Sequence, residues 1–386
     1  MDILTSAEGP YIPAAEAMLF SFLSQNPGRH SIYMLSQEAP ALFRDIGQLC
    51  NLAGSDFALL NPNALVGRLE GASTRINRGK SMAQYHRIYA SHLLPPELPK
   101  VLYLDADLLV RHSLAGLWAI ELGDDYLAAS SMSASIKNRD FLAKFGGRYF
   151  NSGVMLINLG RWRRDNVSGE CERILSERPQ DVTFWDQCLL NFACPTWREF
   201  GIEYNYYYAI GPRWASKFGL TKWQFRAIAA NPAILHFIGP YKPWKKEPAD
   251  LRDLEREYPL CREAFERAIA DQHWTGLSIH QQQAEARVAE KKALRRAERR
   301  RRAAAQRQLE RKATRKAAKR QARVDERRLE RKSLRTTERK ALRSAKRLAQ
   351  AAEGRTQHKA LRREARAEAE RGSRKAERRD ARRAAK

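Results

Sequence analysis

Two carboxylates, Asp105 and Asp107, stand one residue apart directly after the apolar run Val101-Leu102-Tyr103-Leu104. Alternate residues of an extended chain project to the same side, so the two can converge. Paired hard oxygen donors suit Mn2+ or Mg2+, ions that carry diphosphates. Asp-x-Asp alone is a weak signal, because it recurs by chance. A second candidate is His236, which ends the apolar approach Ala233-Ile234-Leu235. A histidine so placed is more often a satisfied structural side chain. The stretch after it, Gly239-x-x-Lys242-Pro243-Trp244, tips the reading toward function. Gly239 lets backbone approach phosphates, and Lys242 brings a cation to a leaving group. The alternative is a surface turn closed by Trp244 packing on the domain.

Several elements must position these groups. Residues 101–104 read as a buried strand of a mainly parallel sheet, and ligands of such sheets bind beyond the carboxyl ends of the strands. Ahead of it, strands are expected over 2–6, 31–35 and 57–60, with helices over 13–25, 40–52 and 81–94. The last of these helices stops before Pro95-Pro96. Further strands follow over 126–130, 154–158 and 234–237. Helices are expected near Trp162, over 181–191 and over 251–269. Strands alternating with helices argue for an α/β fold.

Charge divides the chain in two. Residues 281–386 hold 40 Lys/Arg against 14 Asp/Glu, whereas residues 1–280 hold 30 of each. Every aromatic residue and every cysteine lies before residue 281. The expected division is a globular domain over 1–275 and a polybasic, low-complexity tail over 276–386. The tail is rich in helix formers but has no apolar stripe to bury. Its leucines, Leu294, Leu309, Leu329, Leu334, Leu342, Leu348 and Leu361, follow no heptad, which argues against a coiled coil. A helical or disordered, solvent-exposed extension is expected. The five cysteines show no metal-binding spacing and read as reduced, buried thiols. Met1 leads into a strand with no basic or long apolar leader, and no run of 18 apolar residues exists. The expectation is a cytoplasmic protein.

Residues 100–118 (KVLYLDADLLVRHSLAGLW) resemble the core of the family 8 glycosyltransferases, in which an apolar strand precedes Asp-x-Asp and Leu-x-x-Leu-Trp. Three later stretches keep that family's order: 149–162 (YFNSGVMLINLGRW), 186–191 (DQCLLN) and 236–244 (HFIGPYKPW). The resemblance spans roughly residues 1–250. It implies a GT-A fold and a retaining hexosyltransferase that uses a UDP-sugar and Mn2+ or Mg2+. It makes Asp105, Asp107 and His236 the metal ligands. It places Arg87, Asn151 and Ser152 against the donor, with Gly239 and Lys242 at its phosphates. Asp186 then contacts sugar hydroxyls, and Gln187 stands on the β face of the anomeric carbon. A helix N-cap is a compatible role for Asp186; Arg87 otherwise reads as a solvated helix-face arginine, and Gly153 as a packing residue.

The chain also departs from the family pattern. Where members carry an acidic pair and Asn after strand one, this chain has Glu8-Gly9-Pro10-Tyr11. Glu8 keeps an acidic contact and Tyr11 offers a ring for the base, but Pro10 lacks both a donor side chain and an N–H. A sugar-binding Asp is replaced by Ser130-Ser131-Met132, and DQD is reduced to Asp186-Gln187-Cys188. The expected function is transfer of a hexose to a hydroxyl of a glycan or glycolipid, as in lipopolysaccharide synthesis. The tail, with Tyr241, Trp244 and Trp274 ahead of it, would hold the enzyme at the anionic inner face of the plasma membrane. Nucleic acid is the less favoured partner. The rival reading is a non-catalytic module of the same fold carrying a polyanion-binding tail.

Overall fold

The computed structural model describes residues 1–72, 82–207, 211–240, 242–351, 367 and 371–373. Tyr241, Leu361 and the first residue of the helix expected over 81–94 lie outside them. The chain divides into two compact units, Met1–Arg287 and Val288–Lys386.

Among the described residues of the first unit, ten strands build two sheets: β1 (Asp2–Ser6), β2 (Ser31–Leu35), β3 (Asp56–Leu60), β4 (Lys100–Leu104), β5 (Leu108–Val110), β6 (Leu127–Ser131), β7 (Phe150–Asn158), β8 (Trp197–Glu199), β9 (Tyr206–Tyr207) and β10 (Ile234–His236). The main sheet runs β3-β2-β1-β4-β7-β6-β8. β1, β2, β3 and β4 pair in parallel, as do β6 and β8, while β7 is antiparallel to both of its neighbours. The strand order reverses between β1 and β4, so the crevice beyond their carboxyl ends is the natural ligand site of an open α/β sheet. Helices flank the sheet. Helix Ile12–Gln25 is buried nearly all round, packed against β5 and against helix Glu257–Ala270.

A smaller sheet, β5-β10-β9, completes the unit. β5 leaves the main sheet only three residues after β4. Asp105-Ala106-Asp107 is therefore the link between the two sheets, and both carboxylates stand where the sheets part.

Local structure departs from expectation in several places, including the helices expected over 40–52 and 181–191, which become α-helical only at Arg44 and Trp185. The helix expected over 81–94 is broken: Ala83–His86 and Ala90–Leu93 are α-helical, and Arg87–Tyr89 between them is a 3-10 turn. Asn151 and Ser152, read as preceding a strand, lie inside β7. The helix expected over 251–269 begins as a 3-10 turn, Asp253–Arg256, and becomes α-helical at Glu257. All five cysteines are buried and unbridged.

The tail carries a long helix, Ile279–Ala351, of 73 residues, which at 1.5 Å per residue is about 110 Å long. Its side chains are exposed almost throughout the second unit, Val288, Leu294, Val324 and Leu329 included. No helix among the described residues is long and apolar enough to cross a membrane.

Candidate active site

Strand register assembles the site. In the small sheet His236 pairs with Leu108, the residue after Asp107. In the main sheet Leu104 pairs with Val154, and the Asp105 N–H donates to the Gly153 carbonyl at 2.8 Å. Asp105 and Asp107 from one link and His236 from the end of β10 thus converge. Each offers a ligand atom, and these atoms lie within 4.8 Å of one another. Nε2 of His236 is 3.2 Å from Asp107 Oδ1 and 3.7 Å from Asp105 Oδ2.

The second ring nitrogen decides whether that set fits a metal. Nδ1 of His236 is buried 2.8 Å from Asn205 Oδ1, and Asn205 Nδ2 donates to Asn151 Oδ1 at 2.8 Å. The Asn205 amide is oriented by that second bond, so its oxygen accepts from Nδ1–H. Nε2 is then the lone-pair nitrogen facing the two carboxylates. An imidazole whose far N–H is held by a neighbouring acceptor is the usual arrangement of a metal-ligating histidine. The three residues fit a divalent cation. Asn205 was not anticipated from sequence, where a lone Asn in GIEYNYYY carries no spacing signal.

Gly153 closes the floor of this set. A Cβ there would stand 2.6 Å from Asp105 Oδ2 and would also strike the His236 ring. The packing role expected for Gly153 is thus specific: it makes room for two ligands.

Lys242 is the largest change from expectation. It is buried, not presented on a surface turn, and its ammonium pairs with Asp107 Oδ2 and the Phe237 carbonyl. Burial raises the Asp107 carboxyl, but His236 and Lys242 more than offset it, and the carboxyl sits well below the ordinary range. Gly239 supplies the turn that brings Lys242 back, at φ 85°, a conformation that favours glycine. Trp244 does pack on the domain, edge-on to Tyr11 at 5.7 Å and 5.1 Å from Tyr258.

Arg87 occupies the centre of the charge cluster, buried and not solvated. Its Nη2 is 2.7 Å from Asp105 Oδ1, its Nε is 3.4 Å from Asp186 Oδ2, and its Nη1 donates to the Ser152 carbonyl at 2.8 Å. The guanidinium also lies over the Tyr103 ring, 4.3 Å from its centre, and the Tyr103 hydroxyl donates to Asp105. Burial opposes the charge of Arg87, yet Asp105, Tyr103 and Asp186 together raise its pKa. The 3-10 turn at Arg87–Tyr89 aims this side chain inward.

Asp186 and Gln187 open the helix Trp185–Ala193. Trp185 has a positive φ of 43°, so the backbone is strained at the entry to the segment. Burial pushes the Asp186 carboxyl up to about 6, with Arg87 opposing and Asp105 reinforcing the shift. Ser152 Oγ donates to Asp186 Oδ2 at 3.2 Å. Gln187 Oε1 accepts from Asn151 Nδ2 at 3.0 Å and from the Ser152 N–H at 3.1 Å. The amide is therefore fixed on the edge of β7 that carries Gly153.

Beyond the ends of β1 and β4 lies a cavity of about 300 Å³ whose lining includes Glu8, Tyr11, Gln84, Arg87, Asp105 and Asp107. Under Glu8 sits His86, fully buried, with Nε2 3.4 Å from Glu8 Oε1 and Nδ1 2.9 Å from Ser6 Oγ. Burial lowers its pKa to about 4, so it is neutral near pH 7. His86 and Tyr103 join Asn205 as site neighbours that sequence reasoning assigned no functional role.

The model of glycosyl transferase family 8 matches residues 3–247. The chain belongs to that family. The match takes in both sheets and ends ahead of the helix Glu257–Ala270 and of the long helix. The chain is 27% identical over 267 residues to the glycosyltransferase GlyE of Streptococcus pneumoniae serotype 4, covering 67% of this chain and 60% of that protein. It is 30% identical over 167 residues to a lipopolysaccharide 1,2-glucosyltransferase of Escherichia coli, covering 42% and 49%. The chain thus spans about half to six-tenths of the length of these curated relatives. The structure also matches that of the galactosyltransferase LgtC, solved with donor and acceptor sugar analogues, with a TM-score of 0.56 at 22% identity over 68% of this chain and 96% of that one. That likeness establishes the GT-A fold of the family 8 domain.

Proposed function

We propose that the family 8 domain is a retaining transferase that moves a hexosyl group from a UDP-sugar to a hydroxyl of a glycan or glycolipid. The observation that carries this reading is the metal-ligand set at the wall of the 300 Å³ cavity, tied through Arg87 to Asp186 and through Asn205 and Asn151 to Gln187. Asp105, Asp107 and His236 would hold Mn2+ or Mg2+, which offsets diphosphate charge as a Lewis acid. Glu8 and Tyr11 take the base side of the cavity, with Arg87 and Lys242 near the phosphates. Asn151, Ser152 and Asp186 take the sugar.

The C1–O bond to the diphosphate breaks with both electrons leaving on oxygen. The acceptor oxygen attacks from the same face, and its proton passes to the departing diphosphate. Gln187 is a neutral amide and a poor nucleophile, so a covalent intermediate on it is disfavoured. Its fixed dipole instead stabilises the oxocarbenium-like charge at C1. The E. coli relative acts on lipopolysaccharide by its name, which supports a surface-glycan acceptor. The basic tail would then hold the enzyme near the anionic leaflet where glycolipid acceptors reside, each cation contributing ~1 kcal/mol.

The test is UDP release by the full chain with Mn2+ and UDP-glucose, UDP-galactose or the N-acetylhexosamine donors, with and without acceptor glycolipid. Metal-dependent release is expected. UDP binding without turnover under any acceptor condition would favour the non-catalytic module.

A further inference from the structure

A second cavity, of about 450 Å³, opens beside Gln187, and its character does not suit a bare hexose. Its walls are Met132, Ile136, Phe141, Tyr149 and Phe184, with Ser135, Lys137, Asn138 and Thr183 at intervals. Two of those polar groups are already engaged. Ser135 Oγ donates to the Met132 carbonyl at 2.7 Å, and Asn138 Oδ1 caps the short helix Arg139–Ala143 by accepting from the Phe141 N–H at 3.0 Å. The aromatic wall is rigid: Phe141 meets Tyr149 at 5.4 Å and Phe184 at 5.6 Å, both edge-on. Lys137 and Thr183, both exposed, remain to meet a hydroxyl, but the other hydroxyls of a plain sugar would face apolar and aromatic side chains, at a cost.

Met132 belongs to the stretch Ser130-Ser131-Met132, in which the family resemblance would put a sugar-binding Asp. Its sulphur is 3.5 Å from Asn151 Nδ2 and 3.6 Å from Gln187 Nε2. A thioether is a weak acceptor, so the Gln187 N–H at the cavity's inner end has capacity for a stronger one. The cavity thus joins an amide N–H with an apolar, aromatic pocket. An acyl group bonded to nitrogen fits both: its carbonyl accepts from the amide, and its methyl packs on the rings.

We propose that this cavity receives the N-acyl group of an acetamido sugar, making the enzyme an N-acetylhexosaminyltransferase. The inference rests on the transferase reading above and names its donor class. The same chemistry carried by the acceptor, as an apolar aglycone, is the competing source, and the test separates the two.

The full chain is assayed with Mn2+ and the pairs UDP-N-acetylglucosamine against UDP-glucose and UDP-N-acetylgalactosamine against UDP-galactose. Wild type and Ile136→Trp, which fills the cavity, are compared, with UDP affinity by calorimetry as the check on folding. For one pair, kcat/KM should favour the acetamido donor by about 10- to 200-fold, the range one apolar group provides. Ile136→Trp should collapse that ratio toward one while UDP affinity stays within about twofold of wild type. A wild-type preference for the plain hexose, or equal use of both, overturns the proposal and leaves the transferase reading standing. So does a ratio unmoved by Ile136→Trp, or a loss confined to KM for an alkyl-glycoside acceptor, which assigns the cavity to the aglycone. No turnover of any donor overturns both readings.

Discussion

Residues 1–280 carry 30 basic and 30 acidic side chains and residues 281–386 carry 40 and 14, and the two groups use their charge in opposite ways. In the family 8 domain the decisive charges are buried and closely paired. Arg87 bridges Asp105 and Asp186, Lys242 holds Asp107, and each pair depends on neighbours that satisfy the remaining donors. Removing one partner strands the other in a low-dielectric interior. In the tail, basic residues recur every four positions from Arg307 to Arg347, eleven in all. Like charges four apart on a helix face repel, so propensity maintains this helix against its own charge. The domain's decisive charges are satisfied inside the fold, whereas the tail's face solvent, where salt screens them.

The sharpest way to break that comparison is to remove one buried charge. Asp107→Ala should lower metal-dependent UDP release by about 1000-fold, the scale of a lost Lewis acid, and EDTA should do the same to wild type. Circular dichroism should stay native. Equal rates for variant and wild type would remove the metal site from the mechanism. Gly153→Ala comes next. Its methyl displaces two ligands at once, so Mn2+ affinity by calorimetry should fall by about 10- to 100-fold, with the melting temperature also reduced.

A smaller effect should appear in the pH dependence of stability, because two buried groups oppose each other. Asp186, raised to about 6 from 3.8, binds more protons when folded. Its contribution is full at low pH and is lost as pH rises through about 6. His86, lowered to about 4 from 6.5, binds fewer protons when folded. Its contribution is present above pH 6.5 and is lost as pH falls toward 4. The two slopes nearly cancel in wild type. Asp186→Asn leaves His86 unopposed, and His30, whose pKa burial also lowers, acts in the same direction, so melting temperature should fall steadily from pH 7 to 4.5, by an amount equivalent to ~3 kcal/mol from His86. A flat profile in that variant would contradict the assignment.

The smallest effect on chemistry should come from the tail. Deletion of residues 288–386 should leave turnover of a water-soluble acceptor within about twofold of the full chain while abolishing co-sedimentation with anionic vesicles. Raising salt toward 0.5 M should release the full chain from those vesicles. A tenfold loss of soluble turnover on deletion would place the tail in the chemistry instead.

Much of this was legible in sequence for physical reasons. Val101–Leu104 is apolar because it is a central strand buried on both faces, and the carboxylates that end it stand out against that run. His236 was legible because an apolar approach ends on it. The polar stretch Asn151-Ser152-Gly153 was read as preceding β7 because polar residues and glycine normally end strands. Here β7 runs through the site, so its buried polar atoms find partners in Gln187, Asp186 and Asn205. Asn205 itself was illegible: it acts on a histidine 31 residues away, through a contact that exists only once β9 and β10 have paired. The break at Arg87 was hidden similarly, since its residues have ordinary helix propensity and the inward turn is set by Asp105 and the Ser152 carbonyl.

The bonds from His236 through Asn205 and Asn151 to Gln187 have a common sense of direction. His236 gives its proton to the Asn205 oxygen, Asn205 gives to Asn151, and Asn151 gives to Gln187. Hydrogen bonds laid head to tail reinforce one another. A cation held on Nε2 of His236 would make the first donor more acidic, and the pull would pass along the amides until it drew electron density onto the Gln187 oxygen. The choice of ion would then be felt at a carbonyl that does not touch it, and exchanging Mg2+ for Mn2+ should shift the stretching frequency of that carbonyl.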